Sequence, residues 1–411
     1  RPAWHFDVSE GSALLKKQFG VATLSGFGID DDDPIVGVAG AILEYIGVTQ
    51  ASSEVLAHLQ PPSIQKSSDF VALDATTIRS LEIEQTIRGN TNEGSLLWVM
   101  QRCKTAMGKR LLRRWLCEPL ATRSAIEARQ NVVATFVDDA QFRSSIRGSL
   151  DRVQDIARIA GRVATGRVTP RDIVALGTSL SGCDQFAHEL TGESLSSVRE
   201  ELTHLATNLK PLAEMITRQC IESPPAHMRD GGLFVDGFDA ELDEARLLQR
   251  DAGQWLSTYQ AKIVEETSIS TMKVGYNKVF GYYIEVSRAQ ADRVPDNFTR
   301  KQTLKNAERY ITPELKTFEN KVLSAQSMAL TREQQLFKEL CGSIGDCIHN
   351  IVAFADVIAR IDTLSCFAEV ATEYGYVRPT IIDDPSLWIQ DGRHPVLDRL
   401  LQEGFVPNDC T

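Results

Sequence analysis

Residues 273–288, KVGYNKVFGYYIEVSR, read as two short strands set in a sequence that otherwise keeps the spacing of long helices. From Gly281 onward the alternation places Tyr282, Ile284 and Val286 on one face and Tyr283, Glu285 and Ser287 on the other, so one face packs and the other is wet. Upstream, Leu242, Ala245, Gln249, Ala252, Leu256, Tyr259 and Ile263 alternate steps of three and four, the seam of a coiled coil. Downstream, Leu315, Phe318, Val322, Ala325, Ala329, Arg332 and Leu336 repeat it. Two helices that leave and return around an insert bury their seams against each other only if they run antiparallel. The strands then sit at the tip of an arm, and about thirty residues at ~1.5 Å each put that tip roughly 45 Å out. Such reach suits a large partner better than a catalytic pocket.

Residues 1 to about 60 mix a strand-like start, Trp4 to Val8, with two helical pieces. The second opens at the acidic run Asp30–Asp33 before Pro34. Asp33 as N-cap and Pro34 in the first helical position account for this run, with a cation site as the alternative. Pro61-Pro62-Ser63 reads as a linker, and the alternation of DFVALDATTIRSLEI (69–83) fits a strand or a helix start. From Gly94 to about Cys220 the pattern is helical, broken at Glu118-Pro119, with Thr122 as a cap and Thr169-Pro170 opening a further helix. A basic cluster there, Lys104, Lys109, Arg110, Arg113 and Arg114, reads as a solvated face or an interface, DNA contact being the alternative.

Composition bounds the function. With 411 residues, two to four domains are expected, and 44 Lys+Arg against 55 Asp+Glu give a net charge of -11, so any polyanion site is local. Residues 273–309 supply one: eight basic residues (Lys273, Lys278, Arg288, Arg293, Arg300, Lys301, Lys305, Arg309) face four acidic ones (Glu285, Asp292, Asp296, Glu308). A solvated sheet with surplus cations is the competing reading. The 8 cysteines and 7 histidines show no C-x-x-C, no H-E-x-x-H and no zinc spacing, which suggests reduced thiols in a cytosolic protein. The longest apolar run, Ile35 to Val48, is interrupted by Glu44 and too short for about 30 Å of hydrocarbon. No signal peptide is read. An opening on Arg1 and a stop at Thr411 lead us to expect a fragment.

VGYNKVFGYYIEVSR (274–288) followed by RKQTLKNAERYITPELKTFENKVL (300–323) resembles the clamp and returning lever of the MutS family of DNA mismatch-repair proteins. RPAWHFD (1–7), LDATTIRSLEI (73–83), GKRLLRRWLCEPL (108–120) and DGRHPVL (391–397) resemble further blocks of that family in the same order. The resemblance implies a mainly α multidomain fold. A helical core carries long antiparallel coiled-coil levers with a small β clamp, preceded by an α/β connector remnant. The implied division is 1–62 connector, 63–252 core and first lever, 253–312 clamp with lever ends, 313–376 return helices, and 377–411 a truncated start of an ATPase domain.

By the same resemblance, the clamp contacts the backbone of duplex DNA without reading sequence, and Lys305 and Asn306 carry those contacts. Arg288, Arg300 and Lys301 are added from charge and position. The family's phosphate loop, G-x-x-x-x-G-K-S/T, is not satisfied: Gly108-Lys109 is followed by Arg110 and has Cys103 where the first glycine belongs. No catalysis and no cofactor are therefore expected of this chain, with ATP and Mg expected in a longer parent that is a DNA-dependent ATPase. The family's Phe-x-Glu wedge is expected elsewhere too, since Phe337 and Phe367, each two residues before a Glu, lie in helical patterns. His394 reads as a loop residue capping a strand. The implied partners are duplex DNA, a second copy in the longer protein and other repair proteins, with no membrane, in a bacterial cytoplasm and nucleoid. Two alternatives are a relative acting on recombination intermediates and a helical scaffold for protein partners.

Overall fold

The computed structural model describes residues 2–49, 56, 59–62, 64, 67–277, 281–401 and 404–411, without the side chains of Ala3, Gln249 and Ala252. Lys278 of the basic count, Ser63 of the linker and the seam side chains Gln249 and Ala252 lie outside this description. The chain divides into two compact units, Arg1–Val168 with Ala175–Ile216 and Gly342–Thr411, and Thr169–Val174 with Thr217–Cys341.

In the first unit, Trp4–Val8 does not form the expected strand. Ala3–Phe6 is a 3-10 turn, because the Asp7 side chain accepts from the Glu10 N–H at 3.0 Å and starts α1 (Val8–Phe19) one residue later. His5 Nδ1 meets Glu44 Oε2 at 2.7 Å and ties the turn to α2 (Pro34–Thr49). The acidic run before α2 is a cap and a tie. Asp33 accepts from Ile35 N–H at 2.9 Å, while Asp31 takes Lys16 Nζ at 2.7 Å and Leu24 N–H at 2.9 Å. Among the described residues no group of acidic, His or Cys side chains could hold a metal ion. The described residues of 1–62 form helices and 3-10 turns, with no strand among them.

Residues 69–83 resolve into a helix start. Phe70 bridges Leu120, and Asp74 caps α3 (Ala75–Ser80) by accepting from Thr77 N–H at 2.6 Å. There follow α4 (Leu96–Met100), α5 (Ala106–Cys117), α6 (Arg123–Asp138), α7 (Ala140–Leu150), α8 (Ile156–Ala164), α9 (Pro170–Ser181), α10 (Cys183–Glu189) and α11 (Ser196–Gln219). The breaks fall where the punctuation puts them. Thr122 is the N-cap of α6, and Thr169 and Asp172 bond reciprocally ahead of α9.

In the second unit α12 (Ala240–Thr267) and α13 (Pro313–Asp346) flank four strands, β1 (Lys273–Asn277), β2 (Gly281–Ser287), β3 (Thr299–Thr303) and β4 (Ala307–Ile311). The helices run antiparallel: Arg332 pairs with Asp239 near one end, Trp255 stacks on Phe318, and Lys262 pairs with Glu314 near the other. Leu242, Ala245, Tyr259 and Ile263 are buried on α12, as are Leu315, Val322, Ala325, Ala329 and Leu336 on α13. Arg332, the one charged residue in the seam pattern, is accommodated because its guanidinium grips Asp239 at 2.7 and 3.1 Å.

Asp239 has two roles, since it also accepts from Leu242 N–H at 2.9 Å as the N-cap of α12. Asp239→Ala should cost about 1–2 kcal/mol. The Arg332 hydrogen bonds hold the Asp239 carboxyl below its ordinary 3.8. Its contribution is therefore present above that value and lost as pH falls through the lower folded value. The gap between parent and variant in urea unfolding should be open at about pH 7 and narrower at about pH 3; a gap independent of pH would refute the assignment.

The first unit closes with α14 (Ile348–Tyr374), β5 (Ile389–Gly392), α15 (Leu397–Leu400) and β6 (Asn408–Cys410). Fifteen buried residues are spread around α14, so it is the core helix against which α5, α6, α7 and α8 pack. His394 does not cap a strand: its Nδ1 accepts from Val396 and Leu397 N–H at 3.3 Å and caps the turn into α15. The eight cysteines are free thiols, and burial pushes Cys183 and Cys220 up to about 12. No helix among the described residues is long and apolar enough to cross a membrane.

Candidate nucleic-acid interface

The strands of the second unit form one antiparallel sheet in the order β1-β2-β4-β3. Ile284 and Val286 are fully buried on β2, and Tyr310 of β4 joins them over Ile269, Met272 and Leu315. This is the packed face expected from the alternation. Tyr282 lies at its margin, edge-on to Phe318, and Phe318 stacks on Trp255 at 3.7 Å, so aromatic rings join the sheet to both helices.

On the opposite face, Glu285 and Arg309 are cross-strand partners. The Arg309 guanidinium lies 4.0 Å over the Tyr283 ring, donates to Glu285 Oε2 at 3.0 Å and reaches Gln302 at 3.1 Å. Arg309 is thereby neutralised within the sheet. Arg300 on the edge strand β3 stands 3.6 Å from Glu308 Oε2 while remaining 62% exposed. The Tyr310 hydroxyl donates to Glu308 at 2.6 Å and is the main cause of its lowered pKa, with Arg300 and Arg288 acting in the same direction.

Lys305 and Asn306 are the exposed central residues of the β3–β4 turn, which closes through a bond from Leu304 N–H to Ala307 O at 2.8 Å. Arg288 leaves β2 beside them, its N–H donating to Asn306 O at 3.1 Å. The fold thus gathers Arg288, Lys305 and Asn306 at one end of the sheet, with Arg300 nearby through Glu308. Lys301 is separate. It occupies the irregularity between Arg300 and Gln302, near Glu319 of α13. Burial pushes the Glu319 carboxyl up, but Lys316, the Tyr282 N–H and Lys301 together bring it below its ordinary value.

Two features were missed in the sequence: β3 and β4 themselves, and the internal pairing that leaves fewer cations for a partner than the count of eight suggests. The signal for the second was present in the Glu285–Arg309 opposition, which needs the strand register to be seen. In the basic cluster of the first unit, Arg110 pairs with Asp155 at 2.7 Å, Lys104 with Asp151 and Arg114 with Glu118 at 3.9 Å, and Arg113 with Glu84. Carboxylates therefore face four of those five side chains. Phe337 and Phe367 lie inside α13 and α14, the latter packed 6.2 Å from Trp115.

The family model for MutS domain III matches residues 76–368. The chain is 42% identical over 416 aligned residues to the DNA mismatch repair protein MutS of Rhodopirellula baltica, covering 100% of this chain and 46% of that protein. It is 39% identical over 406 residues to the DNA mismatch repair protein MutS of Synechococcus elongatus, covering 98% and 46%. The chain thus spans a little under half the length of these curated relatives.

Proposed function

The chain belongs to the MutS family of DNA mismatch-repair proteins, and from that premise we propose that its sheet and paired helices form a clamp that lies against the backbone of duplex DNA. The observation that carries this reading is the meeting of Arg288, Lys305 and Asn306 at one exposed end of a sheet whose other face is fastened to the helix pair. Cations and an amide at a turn can hold phosphates, but they carry no base information. A packed antiparallel pair moves as a unit, so rotation at its base would be delivered to the sheet.

In this reading residues 1–62 belong to a connector, 63–252 and 313–376 to a core with levers, 253–312 to the clamp and 377–411 to the start of an ATPase domain. A longer polypeptide would supply nucleotide hydrolysis, a second subunit and contacts to other repair proteins. The string closest to a phosphate loop does not fit a phosphate. Gly108, in the string closest to a phosphate loop, lies in α5 with a Cβ position 2.2 Å from the Asp362 carboxylate, which would repel a phosphate.

Fluorescence anisotropy of labelled matched and mismatched duplexes at two salt concentrations tests the proposal. Lys305→Ala should weaken both duplexes by a similar factor and make the slope of log affinity against log salt shallower by about 0.9, the contribution of one B-DNA phosphate. Asn306→Ala should weaken binding and leave the slope alone. Parent-like affinity and slope in the double variant would leave the sheet as a scaffold for protein partners.

A further inference from the structure

Trp115 of α5 and Phe367 of α14 form one wall of a cleft of about 580 Å³ in the first unit, completed by α6 and residues 376–379. That volume falls in the range of sites that hold a small ligand or a few side chains. Ile126, Val133 and Val137 of α6 and Val377 make the lining apolar, and Val377 is 86% exposed.

One half-buried charge enters this apolar space. The Arg129 guanidinium lies 3.5 Å over the Trp115 ring. The other arginine lining the cleft, Arg378, donates to Gln130 and Asn131, and Arg123, earlier on α6, pairs with Glu127 and Asp383. Among the described residues the Arg129 guanidinium has no hydrogen-bond acceptor and no ion-pair partner. The charge that acts on it is Arg114, and burial together with this like charge pulls its pKa down to about 10. Asp138 also lines the cleft but stands nine residues along α6, about 13 Å away by helical rise.

A cation held in a partly desolvated place without an acceptor is costly, and a carboxylate delivered from outside would remove that cost. Apolar walls require that the carboxylate arrive beside an aromatic or aliphatic group. We infer that this cleft is a docking site for an acidic, apolar peptide segment of a partner protein, with its apolar side chain against Trp115 and Phe367 and its carboxylate on Arg129. The charge of the cleft selects this occupant over a neutral apolar one.

The test uses the 411-residue chain and a fluorescein-labelled nine-residue peptide of alternating Asp and Leu around a central Phe, with a twin in which every Asp is Asn. The acidic peptide should bind about tenfold tighter than its twin, the scale of one charge-assisted pair. Arg129→Gln should remove that preference by weakening only the acidic peptide, with helicity by circular dichroism unchanged. Val133→Glu, which places a carboxylate one helical turn from Arg129, should abolish binding of the acidic peptide while the fold is retained. Equal affinity for the two peptides, no saturable binding, or an acidic preference that survives Arg129→Gln would overturn the inference. So would sedimentation showing a dimer that Arg129→Gln dissociates, since the occupant would then be a second copy.

Discussion

Asp362→Ala should destabilise the first unit by about 4 kcal/mol, the largest loss expected from a single side chain outside the sheet. Asp362 is fully buried in the middle of α14, and its carboxylate accepts from Lys104 N–H at 2.9 Å, Thr105 N–H at 2.7 Å and Thr105 Oγ1 at 2.7 Å. Those donors form the start of α5, where Thr105 is the N-cap and itself accepts from Gly108 N–H at 2.9 Å. A negative group there also faces the positive end of the helix. Alanine would leave two backbone N–H groups without an acceptor, at about 1–3 kcal/mol each, and a gap beside the Gly108 Cα. Asp362→Asn retains one acceptor and should lose about half as much.

Acid should not close this gap. Burial holds the Asp362 carboxyl above its ordinary value despite the three donors. A raised carboxyl contributes stability that is fully present below the unfolded value and fades as pH rises through the folded one. The deficit of the alanine variant should therefore be at least as large at about pH 3 as at about pH 7, opposite to the trend expected for Asp239→Ala. Urea unfolding of both variants at the two pH values separates them. A deficit under about 1 kcal/mol for Asp362→Ala would mean that the start of α5 finds other acceptors.

Features that rest on local periodicity were legible in the sequence, and features that rest on distant neighbours were not. The seams of α12 and α13 and the Ile284–Val286 face follow from spacing alone. Pro34 after Asp33 and Pro170 after Thr169 mark helix starts through chemistry contained within a few residues. By contrast, β3 reads TRKQT and carries no apolar alternation, because it is an edge strand with one partner and mostly exposed side chains. In β4 the alternation is inverted in appearance, since Glu308 is buried alongside Tyr310, and its hydrogen bond from Tyr310 and the nearby Arg300 make that tolerable. Trp4–Val8 has the residue types of a strand, yet the Asp7 cap and the His5–Glu44 bond across 39 positions decide otherwise. Asp362 lies 258 positions from Lys104, and nothing in its own helix announces the α5 donors. For the candidate interface, Lys305 and Asn306 were named by resemblance and share an exposed turn, whereas the separation of Lys301 from them depends on where β3 is irregular.

The seat of the sheet on α13 is expected to depend on Gly281 more than on any charge. Gly281 has φ +72°, and a Cβ there would stand 1.7 Å from Glu319 Oε1. Glu319 is itself buried, accepting from Tyr282 N–H at 3.1 Å and Lys316 Nζ at 2.8 Å. Gly281→Ala must therefore meet about 1 kcal/mol of backbone strain and also expel the carboxylate, leaving Tyr282 N–H without its acceptor for about 1–3 kcal/mol more. Glu319→Ala alone loses the acceptor but makes room. Because each substitution removes the same contact, the double variant should be less destabilised than the sum of the singles by about 1 kcal/mol or more. The consequence for binding differs in kind from that of Lys305→Ala. Arg288 and Lys305 keep their charges and Asn306 its amide in Gly281→Ala, so if the sheet positions them against DNA, affinity should fall while the salt slope stays at the parent value. Loss of affinity with a shallower slope would mean that cations had been released from the interface, and unchanged affinity would mean that the turn reaches DNA without being held to the helices.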